Sequence, residues 1–203
     1  MIKLIIFDIT NVITESYPIS YFIQRLSIKY KINVNVLNDK ILNDLKIGYD
    51  NNELLFEQFL NGICKTVNVK NGEKDIAQDM LESLGVRKFM IDILLKLKTQ
   101  GYCLGYMTNR TKLILDLIEF VVSKQLFCIK ITAAEVGAKK PSQEIYDRLE
   151  LLSKNVVISN DEIIFIDDKT ENLKPARKMG MKTIEYINKD MLLVDLERYG
   201  ICV

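Results

Sequence analysis

Acidic, hydroxyl and amino side chains follow the short apolar runs of this sequence, at the points where strands would end. Asp8 follows LIIF, Thr108 follows LGYM, and Lys140 lies in GAKKP, a few residues after CIKIT. Two neighbouring acids, Asp167 and Asp168, follow the run IIFI. In open parallel sheets ligands bind beyond the carboxyl ends of the strands, so we expect these side chains to converge at one edge.

These side chains are chemically suited to phosphoryl transfer. The Asp8 carboxylate can attack a phosphoryl group, and a cation has to bring the two anions together. Asp8, Asp167 and Asp168 offer the oxygen ligands that Mg²⁺ prefers. The Lys140 ammonium group can offset further negative charge, and the Thr108 hydroxyl can donate to phosphoryl oxygens. A single acid at a strand end is also a common turn or helix cap. Because all four positions fall after successive strands, we favour a phosphoryl-transfer site that they form together.

The composition argues against several other kinds of site. The 203 residues include no histidine, which removes Ser-His and Cys-His pairs, H-E-x-x-H metal sites and imidazole bases. The net charge of +1 gives no reason to expect nucleic acid or an anionic membrane as partner. No apolar window reaches the roughly 20 residues of a membrane helix, and the N-terminus lacks a signal-peptide pattern. We expect a monomer or homodimer whose partner is a small phosphorylated metabolite.

The cysteines give no local sign of a metal or redox motif. They are scattered, without a C-x-x-C pair, so neither a zinc site nor a dithiol motif is encoded. Reduced thiols in a cytoplasmic protein are the expectation. The four positions are Cys64, Cys103, Cys128 and Cys202.

Strand-length apolar runs alternate with helical patterns through most of the chain. The strand-like runs are 3–7, 103–107, 128–132, 162–166 and 182–186, and the helical patterns between them are 89–100, 112–122, 142–153 and 171–180. Gly101 and Gly180 stand where helix C-caps belong. The alternation predicts an α/β fold, a Rossmann-like, doubly wound parallel sheet with helices on both faces.

One segment breaks this alternation. From 14 to 84 the pattern is almost wholly helical, with four amphipathic stretches separated by polar turns. Helices with such short connections are typical of a small bundle. We therefore predict a core formed by 1–13 and 85–203, and a four-helix cap formed by 14–84 and inserted after the first strand.

Four motifs, in this order, resemble those of the haloacid dehalogenase (HAD)-like hydrolase superfamily over essentially the whole chain. They read IIFDITNVI, YMTNRT, VGAKKPSQEIY and IIFIDDKTENLKPARKMGMKTI, and the last two are the most specific. The resemblance is nearest to a branch whose first motif reads F-D-L-G-N-V. That branch includes sugar-phosphate phosphatases with a small helical C1 cap, so the resemblance implies a Rossmann-like core with a cap that selects the leaving group.

The resemblance also implies roles for individual residues. Asp8 would be the nucleophile that forms an aspartyl-phosphate, and Lys140 would compensate charge. Mg²⁺ would be bound by Asp8, Asp167 and the backbone carbonyl of Thr10. Asp168 would be a nearby or water-mediated ligand.

The resemblance further implies phosphate contacts from Thr108 and Asn109, with Thr10 beside them. Arg110 either reaches the substrate or is solvated, and Asn172 orders the loop and helix start. Aromatic residues of the insert are candidates for substrate contact, although such positions on bundle helices more often form the core. They are Tyr17, Tyr21, Phe22, Tyr49 and Phe56.

Thr10 is a departure from the pattern of the superfamily. Its phosphatases usually carry a second Asp there, which protonates the leaving alcohol and then activates water. Loss of such an acid-base group costs typically about 10²–10⁴-fold in rate. A leaving group of low pKa, such as the anomeric oxygen of a sugar 1-phosphate, would need protonation least.

Three hypotheses follow from these residues. The first is a Mg²⁺-dependent hydrolase of a small phosphorylated metabolite. The second is a weak or inactive relative that binds a phosphorylated ligand or a protein partner. The third is a phosphotransfer protein whose phosphorylated Asp8 hydrolyses slowly.

Overall fold

A parallel sheet forms the centre of the chain. The computed structural model describes residues 1–15, 17–51 and 53–203. Within them the strands are β1 (Leu4–Phe7), β2 (Cys103–Thr108), β3 (Ile129–Thr132), β4 (Ile163–Asp167) and β5 (Lys182–Glu185). Their order in the sheet is β3-β2-β1-β4-β5, and every pairing is parallel. The first strand, β1, is central, with β2 and β3 on one side of it and β4 and β5 on the other. This order confirms the predicted α/β doubly wound fold.

β1 is the central strand and brings the ends of its neighbours to one edge. Phe7 pairs with Tyr106 of β2 and with Ile166 of β4. All four β1 residues are fully buried, as a strand covered on both faces requires. The residues that follow β1 therefore emerge beside the ends of β2 and β4.

Helices surround this sheet and fill the insert after β1. In chain order they are α1 (Ser20–Tyr30), α2 (Val34–Leu37), α3 (Ile47–Asp50), α4 (Phe56–Thr66), α5 (Glu73–Ser83), α6 (Lys88–Thr99), α7 (Leu113–Val121), α8 (Ala133–Val136), α9 (Gln143–Asn155), α10 (Thr170–Lys178) and α11 (Lys189–Arg198). A π-helical segment, Asn38–Lys46, joins α2 to α3, and a 3-10 turn, Asn160–Glu162, precedes β4. The predicted C-caps are confirmed, since Gly101 and Gly180 adopt φ values of +90° and +86°.

The chain divides into two compact units. The core unit contains 1–15, 87–111 and 125–203, and the helical unit contains the described residues of 16–86 together with 112–124. The helical unit thus includes α7, which the sequence pattern had assigned to the core. Ser16 and Asn52, which fall within the predicted cap, lie outside the described residues. The role of the helical segment as a cap stays a prediction.

A cluster of charged side chains lies in the helical unit. Arg25 donates to Asp79 and to Glu82, each at 2.8 Å. Lys29 donates to the other Asp79 carboxylate oxygen at 2.5 Å. We call these four residues the Asp79 cluster.

The aromatic candidates of the helical unit differ in exposure. Phe22 and Tyr49 are buried and belong to the core of this unit. Tyr17 and Tyr21 are exposed, with ring centroids 5.5 Å apart, and Phe56 is partly exposed. Substrate contact by any of these residues stays a prediction.

Two of the four cysteines are paired. Cys103 and Cys128 form a disulfide with a Cα–Cα distance of 6.1 Å, while Cys64 and Cys202 are free. The expectation of reduced thiols is therefore wrong for this pair, because the chain brings the start of β2 beside the residue before β3. None of the helices that the structure describes combines the length and apolar character needed to span a membrane.

Candidate active site

Asp167 is the most firmly held acid at the carboxyl edge of the sheet. It is the last residue of β4 and is fully buried. Its Oδ1 accepts from the Asn172 side chain at 2.9 Å and from the Lys169 backbone N–H at 3.0 Å, while its Oδ2 accepts from Lys140 at 2.6 Å. Both oxygens are thus hydrogen-bonded, which satisfies a buried charge and fixes its orientation.

Lys140 joins the ends of β1 and β4. Its Nζ donates to Asp8 Oδ1 at 2.7 Å as well as to Asp167, and its side chain is only 1% exposed. The ammonium nitrogen also lies 5.3 Å from the centroid of the Phe165 ring, an arrangement that favours a cation. One buried positive charge therefore faces two carboxylates, as the sequence predicted.

Asn109 holds the backbone of Lys140. The Lys140 N–H donates to Asn109 Oδ1 at 2.8 Å, and Asn109 Nδ2 donates to the Lys140 carbonyl at 3.1 Å. This reciprocal pair connects the loop after β2 to the loop that carries the lysine. The side-chain amide of Asn109 is thus engaged in the structure, and its predicted phosphate contact remains a prediction.

Thr108 shapes the same loop. It is the last residue of β2, is fully buried, and accepts the backbone N–H of Arg110 at 3.1 Å with its hydroxyl oxygen. Arg110 itself is exposed. The geometry places the Thr108 hydroxyl at the predicted edge, while phosphate binding by Thr108 and Arg110 stays a prediction.

Asp8 lies in an electrostatically strained position. It follows β1, is 6% exposed, and its N–H donates to the Ile166 carbonyl at 2.8 Å. Burial raises the pKa of its carboxyl group to about 6, the Lys140 charge opposes this rise, and the charge of Asp167 adds to it. The two carboxylates that Lys140 contacts therefore carry more negative charge than its single ammonium group balances.

Three acids at this edge could hold a metal ion. Carboxylate oxygens of Asp8, Asp167 and Asp168 all lie within 4.8 Å of one another. Oxygen-only ligands of this kind fit a hard divalent cation such as Mg²⁺. The three carboxylates carry more charge than the Lys140 ammonium group can balance, which also favours a divalent cation.

Asn11 holds the third acid. Its backbone adopts a left-handed conformation, with φ of +63°, which asparagine tolerates better than most residues. Its Nδ2 donates to Asp168 Oδ2 at 2.9 Å. Thr10, the preceding residue, supplies no acid, and metal binding by its carbonyl stays a prediction.

Arg87 fixes the loop that contains Asn11. Its Nη1 donates to the carbonyl of Asn11 at 2.5 Å and to that of Val12 at 3.0 Å. The guanidinium carbon lies 5.5 Å from the ring centroid of Tyr186. Neither Arg87 nor the contact of Asn11 with Asp168 was predicted from the sequence, although an asparagine directly after Thr10 was a local signal for a left-handed turn.

Relatives of known structure share this fold. A HAD phosphatase from Thermococcus onnurineus aligns with a TM-score of 0.57 over 100% of both chains, at 20% identity. A HAD family enzyme from Bacteroides thetaiotaomicron, crystallised with magnesium and inorganic phosphate, aligns with a TM-score of 0.50 over 93% of this chain and 95% of that chain, at 20% identity. At these identities the likeness concerns the fold alone.

Sequence comparison extends the likeness to the family level. The mouse (Mus musculus) protein bifunctional epoxide hydrolase 2 is 30% identical over 131 residues, which are 61% of this chain and 23% of that protein. The chain thus spans less than a quarter of the length of this curated relative. A family model described as haloacid dehalogenase-like hydrolase matches residues 5–186, nearly the whole sequence. The four ordered motifs and the acids at the sheet edge lie within that match, and the chain belongs to the haloacid dehalogenase-like hydrolase family.

Proposed function

We propose that this protein is a Mg²⁺-dependent phosphomonoester hydrolase for a small metabolite, with a sugar phosphate as one candidate. The observation that carries the proposal is the buried Lys140 bridge between Asp8 and Asp167, with Asp168 beside them. Family membership supports a hydrolase, and relatives described as a phosphatase or crystallised with magnesium and phosphate support this kind of substrate.

The acids at the sheet edge would hold the magnesium ion. Asp8, Asp167 and Asp168 supply carboxylate oxygens, and Thr10 supplies its backbone carbonyl. When bound, the ion provides positive charge that offsets repulsion between the Asp8 carboxylate and a phosphoryl group. Lys140 and Asn172 keep the Asp167 carboxylate oriented for this task.

The reaction would proceed in two displacements at phosphorus. A carboxylate oxygen of Asp8 forms a bond to phosphorus while the ester P–O bond breaks, and the leaving oxygen takes up a proton to depart as an alcohol. Water then attacks the phosphorus of the aspartyl-phosphate and gives up a proton to the solvent, the bond to Asp8 breaks with its electron pair returning to the carboxylate, and orthophosphate leaves. The Thr108 hydroxyl and the backbone N–H groups after it would donate to the phosphoryl oxygens.

Thr10 restricts the leaving groups that this chain can expel. A threonine hydroxyl cannot supply the proton that a carboxylic acid would supply at this position. Esters with a leaving group of low pKa depart without that proton. We therefore infer a preference for such esters, and the anomeric phosphate of a sugar is one example.

A phosphate-release screen tests the proposed function. Purified protein is incubated with p-nitrophenyl phosphate and a panel of sugar phosphates, with Mg²⁺ and with excess chelator. We expect release that needs Mg²⁺ and that is faster for esters with leaving groups of low pKa. Absence of release from every ester at high protein concentration would contradict the proposal.

Thr10 also supports a second candidate function, a weak or inactive relative that binds a phosphorylated ligand or a protein partner. Calorimetry that detects tight ligand binding without phosphate release would favour this candidate. The substitution Thr10→Asp separates the two, because restoring the acid should raise the hydrolysis of esters with poor leaving groups by about 10²–10⁴-fold if only the acid is missing. A long-lived, acid-stable and base-labile phosphoprotein would instead favour slow phosphotransfer through Asp8.

The net charge supports a small metabolite as partner rather than nucleic acid or a membrane. We further propose that the enzyme works in the cytoplasm, a compartment in which the Cys103–Cys128 disulfide would be an exception, and that it is a monomer or homodimer. Size-exclusion chromatography with light scattering would measure its oligomeric state.

A further inference from the structure

A groove in the core unit adjoins the candidate active site. Its volume is about 830 Å³, and its lining comes from 109–111, 133–134 and 137–142. Asn109 and Lys140, which clasp each other at the site, both belong to this lining. The groove is therefore continuous with residues of the site, and its volume lies within the range of small-molecule pockets, about 300–1,000 Å³.

The charged residues that line the groove are all cations. They are Arg110, Lys139 and Lys140, and the lining contains no acid. The Lys140 ammonium group is committed to Asp8 and Asp167, so the charges left to the groove are those of Arg110 and Lys139. In the part of the chain that the structure describes, neither of these two side chains forms an ion pair.

The backbones that carry these two cations are fixed. The Arg110 N–H donates to Thr108 Oγ1 at 3.1 Å, and the Lys139 carbonyl accepts the N–H of Ser142 at 2.8 Å. Both cations thus lie in hydrogen-bonded turns. Arg110 directly follows Asn109, and Lys139 directly precedes Lys140, so each is next to one member of the Asn109–Lys140 pair. Both residues belong to the lining of the same groove.

A second groove of the core unit has a lining of mixed charge. It has a volume of about 720 Å³ and its lining includes Lys130 and Arg148, but also Glu135, Glu144 and Asp147. Acids outnumber cations there, so that surface has no net attraction for an anion. The groove beside the active site differs because its uncompensated charges have a single sign.

The walls of the groove leave room for a carbon chain. They are formed by small residues, among them Ala133, Ala134 and Ala138. Gly137 has a φ of +76°, and a Cβ atom built on it would meet nothing within 4 Å. An apolar linker can therefore lie along the wall while its charged ends meet cations.

We propose that this groove binds a second anionic group of the substrate, a carboxylate or a phosphate, through Arg110 and Lys139. The substrate class would then be a phosphomonoester whose carbon skeleton carries a further acidic group. This inference rests on the proposed function, because it assumes that the first phosphoryl group lies at Asp8. The guanidinium group of Arg110 can bind a carboxylate or a phosphate through two parallel hydrogen bonds, so the groove can accept either anion.

Matched esters test the groove. Butyl phosphate, 4-(phosphonooxy)butanoate and butane-1,4-diyl bisphosphate have the same carbon chain and differ in the group at its far end. We expect kcat/KM for one or both of the doubly acidic esters to exceed that for butyl phosphate by about 10- to 100-fold, the range of charge-assisted hydrogen bonds. The ester that is preferred identifies the second anion as carboxylate or phosphate.

Substitutions locate the preference on the protein. In the double variant Arg110→Met/Lys139→Met, the ratio of kcat/KM for the preferred acidic ester to kcat/KM for butyl phosphate should fall to near one. Arg148→Met, in the groove of mixed charge, is the matched control and should keep the ratio of the wild type. A wild-type ratio near one, or a double variant that keeps its preference, would overturn the inference.

The two proposals fail in distinguishable ways. Release of phosphate from butyl phosphate and the acidic esters at equal rates would leave the proposed function standing and remove the groove proposal. Because butanol is a poor leaving group, the proposed function fails only if p-nitrophenyl phosphate also releases no phosphate. If the butyl esters alone release none, calorimetry with the same esters measures the groove directly. Equal binding of butyl phosphate and both acidic esters would contradict the inference, and tighter binding of an acidic ester that the double variant loses would support it.

Discussion

Two charged clusters of this molecule use similar residues in opposite ways. In the core unit one lysine, Lys140, faces Asp8 and Asp167, and its side chain is only 1% exposed. In the helical unit the two cations of the Asp79 cluster face two acids, and the side chains of Arg25 and Lys29 are 44% and 43% exposed. The first cluster is buried and unbalanced. The second is balanced, and its two cations reach water although Asp79 itself is buried.

This difference separates a candidate reaction site from a structural contact. Burying an excess of negative charge is costly unless a partner compensates it, and a bound cation or a substrate can be that partner. A balanced cluster whose cations reach water needs no further charged partner. Substitutions in the two clusters should therefore affect different properties of the protein.

Loss of Lys140 should have the largest effect of the substitutions that compare the clusters. In Lys140→Met, Asp8 and Asp167 lose the charge that both contact, and we expect phosphate release to fall by about 10²–10³-fold. Release from p-nitrophenyl phosphate at saturating Mg²⁺ measures this effect. Lys29→Met is the matched control in the Asp79 cluster and should retain the wild-type rate. Equal rates for the two variants would remove the distinction between the clusters.

Loss of the Asn11 side chain should weaken metal binding by an intermediate amount. In Asn11→Gly the left-handed backbone is still favoured, but Asp168 loses its hydrogen bond, and we expect Mg²⁺ affinity to fall by about 10- to 100-fold. Isothermal titration of Mg²⁺ alone measures this affinity without turnover. Asn71→Gly, at another left-handed asparagine with φ of +54°, is the control and should bind Mg²⁺ like the wild type. An unchanged affinity in Asn11→Gly would show that Asn11 does not position Asp168.

Loss of Asp79 should have the smallest effect on phosphate release and should concern stability alone. Arg25 and Lys29 can turn to water in Asp79→Asn, but Asp79 is buried, so we expect the free energy of unfolding to fall by about 1.5–3 kcal/mol, the range of hydrogen bonds to charged groups. Urea denaturation measures this change, and the rate of phosphate release should stay at its wild-type value. A rate as low as that of Lys140→Met would place the Asp79 cluster among the groups that the reaction needs.

The strands and the acids of the site could be predicted because their signals are local. Buried parallel strands appear as continuous apolar runs, and the residues that follow them must lie at one edge of the sheet. Asp8, Asp167 and Asp168 follow that rule, and Lys140 reaches the same edge from the loop after α8. The C-cap positions of Gly101 and Gly180 are predictable for the same reason, since the left-handed turn favours glycine.

The remaining features depend on contacts between distant residues. Arg87 reaches the carbonyl of Asn11 across 76 positions, and contacts with carbonyl groups leave no pattern in side-chain types. The spacing of apolar residues identified α7 but did not reveal that it belongs to the helical unit. The clasp between Asn109 and Lys140 is likewise a tertiary contact, formed where two loops meet.

The rate of phosphate release by Asp8→Asn tests whether Asp8 is the nucleophile. Asparagine keeps the shape of the side chain but cannot form an aspartyl-phosphate, so the account predicts a loss of about 10⁴-fold or more relative to the wild type. The measurement uses p-nitrophenyl phosphate at saturating Mg²⁺, with circular dichroism to verify the fold. Release by Asp8→Asn at the wild-type rate would contradict the assignment of Asp8 as the nucleophile.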